Sequence, residues 1–368
     1  MKLSIERSIL LRALSQAQSV VERRNTIPIL ANVLIECDES TVHFRATDLD
    51  IEVIDKTPAQ VERPGATTVS AVTLHEIVRK LPDGALVTLA DDATKGRLYV
   101  EAGRSNFSLA TLPKEDFPIM ASSEYTANFS APAAMLRRLF DKSKFAISTE
   151  ETRYYLNGVY LHVADGEGGQ TLRCVATDGH RLAMTRQALP SGAAQMPSII
   201  LPRKAVSELR KLLDDFDGDV FVGLSETRAE FRFGTVCLTS KLIDGTFPDY
   251  TRVIPVGNDR IMKVDASAFS AAVDRVSTIA SEKSRSIKMG LKPGVLTLSA
   301  SNTDASSATE ELEVSYDGPE MEIGFNARYL LDIAGQVNSD MVEFALADQG
   351  SPSLVRAPGD EASLFVLM

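Results

Sequence analysis

Asp178, His180 and Arg181 bring a carboxylate, an imidazole and a guanidinium into one stretch, Ala176-Thr177-Asp178-Gly179-His180-Arg181-Leu182-Ala183. Such groups could be two members of a hydrolase relay or two ligands of a metal. Their surroundings supply neither chemistry. The chain has no Gly-x-Ser-x-Gly, Cys-x-x-Cys or His-Glu-x-x-His, and no glycine-rich phosphate loop ending in Lys-Ser/Thr. His43, His75 and His162 are isolated, and Cys37, Cys174 and Cys237 are odd in number and scattered through strand-like runs. The thiols are therefore expected reduced and mostly buried. No catalytic residue, metal or cofactor is expected, and a hydrolase built on Asp178 and His180 stands as the competing reading.

The Thr-Asp pair is not unique. Ala46-Thr47-Asp48 lies 130 residues upstream and Asn302-Thr303-Asp304 lies 126 downstream, each behind a strand-like run. Recurrence in three places fits a turn in which Asp178 accepts backbone hydrogen bonds. Only the middle copy continues Gly-His-Arg-Leu; the first has Leu49-Asp50-Ile51 and the third Ala305-Ser306-Ser307. Gly179 lets the backbone approach a ligand, His180 and Arg181 offer donors, and Leu182 adds apolar area. Together with Pro248, Arg252 and Val253 they suit an extended peptide with a hydrophobic end. An interdomain hinge is the alternative.

The elements that would carry these turns also repeat. Leu10, Leu11, Leu14 and Ala17 have helical spacing, matched by Met135, Leu136 and Leu139 and by Phe269, Val273 and Val276. A second helix recurs around Leu74-Ile77-Leu81, Val206-Leu209-Leu213 and Leu330-Ile333-Val337, with Ser70, Pro202 and Asn326 at the starts. Short Thr- and Val-containing segments and Gly/Pro turns lie between. The pattern predicts an α+β chain of three similar domains, 1–125, 126–254 and 255–368, each two helices on antiparallel sheet. Such domains join edge to edge, and a free edge at each end invites closure by a second chain.

The net charge of −11 argues against a nucleic-acid partner unless the charges segregate. They do. The six helical windows together carry +9, which leaves −20 for the rest of a chain totalling −11. Arg137, Arg138, Lys142, Arg203, Lys204, Arg210 and Lys211 are expected to face a polyanion, and duplex nucleic acid fits. Without a reading-head motif, contact would be to phosphates and indifferent to sequence. No apolar run approaches the roughly 20 residues of a membrane span, and the N-terminus reads as an amphipathic segment, so a cytoplasmic location is expected.

Several stretches carry a family likeness: Pro28-Ile29-Leu30, Pro64-Gly65-Ala66-Thr67-Thr68-Val69, Arg153-Tyr154-Tyr155-Leu156-Asn157-Gly158, residues 176–183, Thr239-Ser240-Lys241-Leu242, Phe247-Pro248-Asp249-Tyr250 and Met321-Glu322-Ile323-Gly324-Phe325-Asn326. In this order they resemble the bacterial β sliding clamps, the processivity subunits of DNA polymerase III, over essentially the whole chain. The resemblance implies a non-enzymatic head-to-tail homodimer closing into a ring around duplex DNA. It implies a partner-peptide pocket between the second and third domains at Leu156, Thr177, Gly179, His180, Arg181, Leu182, Pro248, Arg252 and Val253, extended by Val366, Leu367 and Met368. The implied users are the polymerase III catalytic subunit, the clamp loader, and other polymerases and repair proteins bearing short linear peptides. Arg24 and Tyr155 match positions that touch DNA, and Glu150 stands where a DNA-contacting amide is expected. The implied seam sets Phe107 and Leu109 against Ile279, with Arg97 and Arg104 facing a thinned acidic stretch at Asp304, Glu310 and Glu311. The resemblance also implies a Pro-Met-Arg-hydrophobic tail after Met368; the sequence ends at Met368, the tail being either absent or only not included, and weaker peptide binding is implied only if it is absent.

Overall fold

A computed structural model describes residues 1–21, 26–121, 124–166, 168–280 and 285–368. Six α-helices occur among the described residues: α1 (Arg7–Val20), α2 (Ala71–Lys80), α3 (Ala133–Ser143), α4 (Arg203–Leu212), α5 (Ala266–Ser277) and α6 (Ala327–Ala334). They fall within or close to the six windows read from the sequence. Their starts follow capping chemistry. Glu6 accepts from the backbone of Ser8 and Ile9, Ser70 from Thr73, Asp265 from Ala268 and Asn326 from Arg328. Along α1, Leu10, Ala13, Leu14, Ala17 and Val20 are buried, the spacing of a single apolar stripe.

The chain forms two compact units. The first comprises Met1–Leu136, Pro190–Pro197 and Lys204–Leu242. It holds a 13-stranded antiparallel sheet. Its core packs α1 and α2 on that sheet through Leu10, Leu14, Leu74 and Val78 against Val33, Phe44, Val69, Leu89 and Val100. The second comprises Arg137–Leu189, Ser198–Arg203 and Ile243–Met368, with an 8-stranded and a 4-stranded sheet.

One joint is made twice. In the first unit the strand after the Asp48 turn, Ile51–Pro58, pairs antiparallel with Val236–Lys241, from Asp55 opposite Val236 to Ile51 opposite Ser240. In the second, the strand after the Asp178 turn, Arg181–Ala188, pairs with Ser363–Leu367, from Arg181 opposite Leu367 to Thr185 opposite Ser363. Each time the strand following the turn of one repeat takes the last strand of the next. The strand after the third turn, Ser307–Glu313, is the outer strand of its sheet, and Ser105–Leu112, the last strand of the first repeat, pairs on one side only along Ser105–Ala110. Gly158 is required where two strands crowd: a Cβ there would lie 2.3 Å from the Leu201 carbonyl oxygen.

Candidate functional site

The Asp178 turn caps itself as its sequence suggests. Asp178 Oδ1 accepts from the backbone N–H of His180 and of Arg181, both at 3.0 Å. Thr177 Oγ1 accepts from Gly179 N at 3.1 Å and donates to the Arg181 carbonyl at 2.7 Å. Asp178 Oδ2 takes Arg181 Nε at 3.1 Å. Both carboxylate oxygens are therefore engaged away from the His180 imidazole, an exposed ring that stacks on Tyr329 with centroids 6.0 Å apart. The carboxylate–imidazole relay of a hydrolase is not assembled.

Arg181 corrects one expectation. Its side chain is 8% exposed, and all three guanidinium nitrogens are committed: Nε to Asp178, Nη1 to Asp332 at 2.5 Å, and Nη2 to the Phe145 carbonyl at 2.7 Å. The guanidinium also lies 4.6 Å from the Tyr329 ring centroid and 5.2 Å from that of Phe145. It fastens the loop to its supports, with three of its five N–H donors committed to the protein itself. Leu182, by strand alternation, turns to the opposite face.

That face is an apolar cluster of Leu156, Val175, Leu182, Met184, Ile200, Phe247, Tyr250 and Val366, with Tyr155, Val253, Leu354 and Leu364 half-buried against it. Four of the expected pocket residues meet here: Leu156, Leu182, Val253 and Val366. Pro248, Arg252, Gly179 and His180 are exposed at the ends of the same segments. Arg252 Nε pairs with Asp249 at 3.0 Å. Leu367 is a second correction. It lies opposite Arg181 in the ladder, whereas Val366 lies opposite Leu182, so Val366 joins the cluster and Leu367 occupies the other face. Met368 is exposed and its N–H donates to the His180 carbonyl at 2.9 Å. Val175, Met184, Ile200, Phe247 and Tyr250 were missed. The Phe-Pro-Asp-Tyr stretch was the signal for two of them, while the strand residues become visible only once the ladder registers are known.

Gly179 has φ of +87°, and a Cβ on it would sit 2.5 Å from Arg153 Nη1. The missing side chain is what admits that guanidinium over the loop. Arg153 is oriented from the other side by Glu150, whose two oxygens take Nε at 2.8 Å and Nη2 at 2.7 Å. The Arg153 hydrogen bond draws the Glu150 pKa below the usual carboxylate range. The carboxylate at the expected amide position is thus locally neutralised.

The basic residues divide. Lys142 contradicts its expected role: it is buried, and its ammonium donates to the Gln336 carbonyl. Burial lowers its pKa. The face of α3 that carries it packs inward, so it cannot meet a polyanion. Lys204 pairs with Asp48, Arg210 with Asp214, Lys211 with Glu208 at 2.8 Å and Arg138 with Asp360 at 3.9 Å. Arg203 and Arg138 are exposed, Lys211 is 65% exposed at its side chain, and Arg137 is half-buried. Tyr155 packs its ring edge-on to the more exposed Tyr154, centroids 5.8 Å apart. Arg24 lies outside the described residues. At the expected seam, Phe107 and Leu109 are half-buried on the first unit's core, Ile279 is half-buried just beyond α5, and Arg97 and Arg104 are exposed. Glu310 is already held by Arg275 of its own chain, so the acidic stretch is thinner still.

No helix among the described residues is long and apolar enough to cross a membrane. Three family models match in succession: the N-terminal domain of the DNA polymerase III beta subunit at residues 1–121, its central domain at 131–249 and its C-terminal domain at 251–368. The beta sliding clamp of Caulobacter vibrioides is 52% identical, covering all of this chain and 99% of the relative. That of Escherichia coli K12 is 36% identical with the same coverage. Among solved structures, a DnaN sliding clamp from Bartonella birtlesii bound to griselimycin matches with a TM-score of 0.97 at 48% identity, covering all of this chain and 98% of that one. A DnaN sliding clamp from Pseudomonas aeruginosa bound to griselimycin matches at 0.92 and 39%, again over all of this chain and 98% of that one. By sequence along its whole length and by fold, the chain belongs to the DNA polymerase III beta-subunit family, the beta sliding clamps.

Proposed function

We propose that two copies of the chain close head to tail into a ring around duplex DNA and hold the polymerase there by topology. The observation that carries this reading is the repeated edge joint. The pairing made twice within the chain leaves Ser307–Glu313 without its counterpart and Ser105–Ala110 with an open side, and a second copy supplies each. Phe107 and Leu109 would then meet the Ile279 region, with Arg97 and Arg104 on the rim. The three repeats act as domains 1–125, 126–254 and 255–368 of a six-domain ring.

Topology is the effective device because non-specific electrostatic binding at physiological salt gives a Kd of only about 10⁻⁴ to 10⁻⁶ M, too weak to retain a moving enzyme. Weak contact through Arg138, Arg203 and Lys211 permits sliding. Tyr155 and Arg24 add further contacts. The clamp is non-catalytic and cytoplasmic. The cluster at Leu156, Leu182, Val253 and Val366, rimmed by Gly179, His180, Pro248, Arg252 and Met368, receives short linear peptides from the polymerase III catalytic subunit, the clamp loader and other polymerases and repair proteins.

Retention on nicked circular duplex, before and after linearisation and with an opening factor supplied, tests the ring. Release on cutting is expected; equal retention on both forms overturns it. Leu156→Asp tests the pocket: peptide binding is lost while the mass in solution stays dimeric, because losing one pocket wall costs about 1 to 2 kcal/mol or more. Leu156 and Leu182 are both buried, so the melting temperature is read alongside, and Leu156→Ala, which buries no charge, tells a lost wall from a lost fold.

A further inference from the structure

Behind the apolar cluster lies a buried polar set that the pocket itself does not use. The strand Gly158–Gly166 presents Tyr160 and His162 on one face, and Arg173 lies directly opposite His162 on the neighbouring strand. His162 stacks on Tyr160 with centroids 4.5 Å apart, and Tyr160 stacks on Phe247 at 4.8 Å. Tyr250 closes the row, its ring centroid 5.6 Å from His162. Tyr250 is 6% exposed and belongs to the cluster, so its hydroxyl needs partners inside the protein.

It has two. His162 Nδ1 lies 3.2 Å from the Val163 carbonyl, which can only accept, so the ring hydrogen sits on Nδ1. Nε2 then accepts from the Tyr250 hydroxyl at 3.1 Å, and Arg173 Nη1 donates to the same oxygen at 3.3 Å. Arg173 Nη2 is anchored on the Asp165 carbonyl at 3.0 Å. Tyr250 opens the 3-10 turn Tyr250–Val253, two residues from Pro248 and from Arg252 and three from Val253.

We infer that Tyr250, pinned by His162 and Arg173, is a positioning residue that sets the Pro248–Arg252–Val253 wall of the peptide pocket, and that protonation of His162 releases that wall. The inference rests on the pocket reading above. Protonated His162 would carry N–H at Nε2, so two donors would converge on one hydroxyl, whose own hydrogen would lose its acceptor. The groups facing His162 are Arg173 from the neighbouring strand, Tyr250 from the turn and Tyr160 from its own strand. No carboxylate among the described residues bonds either ring nitrogen. Burial holds the His162 pKa below its ordinary value of about 6.5, against the opposing pull of the Val163 carbonyl bond and with a smaller push from the Arg173 charge. A depressed value means the unfolded or released state binds the proton better. The pinned state is therefore fully favoured above about pH 6.5 and is lost as pH falls toward the lowered value.

The test is calorimetric titration of griselimycin into the full-length chain across the mildly acidic to neutral range at fixed ionic strength, with melting temperatures alongside. Griselimycin, which the Bartonella birtlesii and Pseudomonas aeruginosa clamps bind, serves as the probe of the proposed pocket. Wild type is expected to lose affinity as pH falls below about 6.5. Tyr250→Phe keeps the ring and removes both hydroxyl bonds. It is expected to bind about 3- to 10-fold more weakly at neutral pH and to lose the acid step. His162→Phe keeps the stacking and is also expected to show no acid step. An acid step that persists in His162→Phe overturns the inference, as does wild-type affinity in Tyr250→Phe. An affinity loss that merely follows a fallen melting temperature, with the step intact, also overturns it. Leu156→Asp separates the two readings: if it binds griselimycin like wild type, the ligand sits elsewhere and the pocket reading fails.

Discussion

The Asp48 and Asp178 turns are built from the same bonds and end with different uses. Asp48 Oδ1 accepts from Asp50 N at 2.9 Å and Ile51 N at 2.8 Å, and Thr47 Oγ1 donates to the Ile51 carbonyl at 2.8 Å while accepting from Leu49 N. These are the bonds of Asp178 and Thr177, residue for residue. Both turns also place a left-handed residue after the aspartate, Leu49 with φ of 81° and Gly179 with φ of 87°. The scaffold thus needs the positive φ but not glycine. Glycine at 179 answers a separate demand, room for Arg153. Three residues beyond the aspartate, the first turn has the buried Ile51 and the second has Arg181 with its bonds to Asp178, Asp332 and Phe145. What distinguishes the middle copy is a polar fastening and a cleared approach, both laid over an unchanged turn.

The comparison breaks most severely at Arg181. Arg181→Ile gives the middle turn the first turn's residue, yet it strips Asp178 Oδ2 and the Phe145 carbonyl of their Arg181 bonds and leaves Asp332 only the longer pairing with Arg328 at 3.8 Å, in a half-buried site. A loss of about 3 kcal/mol in unfolding free energy is expected, measured by denaturant titration. In the reverse exchange at Ile51 the matching carboxylate, Asp48, is already taken by Lys204, so a guanidinium there is buried without a partner of its own. If Arg181→Ile is as stable as wild type, the fastening contributes nothing and the turn alone holds the loop.

How much of this was legible follows from what each signal depends on. The helix stripes and the capping role of Asp178 are local, and the sequence alone predicts them. The third repeat shows the limit even there. Asn302, not Asp304, accepts the backbone bonds, from Asp304 N and Ser306 N at 3.0 Å, because that turn is one residue longer. Ala305 nonetheless keeps the left-handed conformation, with φ of 59°. Long-range placements were not legible. Whether Val366 or Leu367 faces the cluster depends on ladder register, and a slip of one residue exchanges the two faces. Lys142 looks like any lysine on a basic helix until the Gln336 carbonyl is found to meet its ammonium. The charge tally likewise counted Lys204, Arg210 and Lys211 without their carboxylates, which reduces the free positive surface but leaves the pattern of the two edge joints untouched.

A smaller effect, and a sharper one, is expected at Gly179. Gly179→Leu makes the middle turn read as the first. The left-handed backbone then costs about 1 to 2 kcal/mol relative to glycine, and the new Cβ displaces the Arg153 guanidinium. On the pocket reading proposed above, griselimycin binding should weaken, while Glu150→Gln, which loosens Arg153 without filling its place, should weaken it less. Equal affinities in all three proteins, read by calorimetry, would separate Arg153 from the pocket.

The smallest effect belongs to the first turn, where the same exchange is run backwards. Leu49 pays in backbone strain for a conformation that glycine adopts freely, and its side chain is 40% exposed, so little packing is lost on its removal. Against the relief stands the extra conformational freedom of glycine in the unfolded chain, roughly 0.5 to 1 kcal/mol. The two nearly cancel, and Leu49→Gly is expected to change stability by about 0.5 kcal/mol or less, with griselimycin affinity and retention on circular DNA unchanged. A loss above about 1.5 kcal/mol would mean that Leu49 makes a contact the turn depends on, and the two turns would then differ in their scaffold as well as in their use.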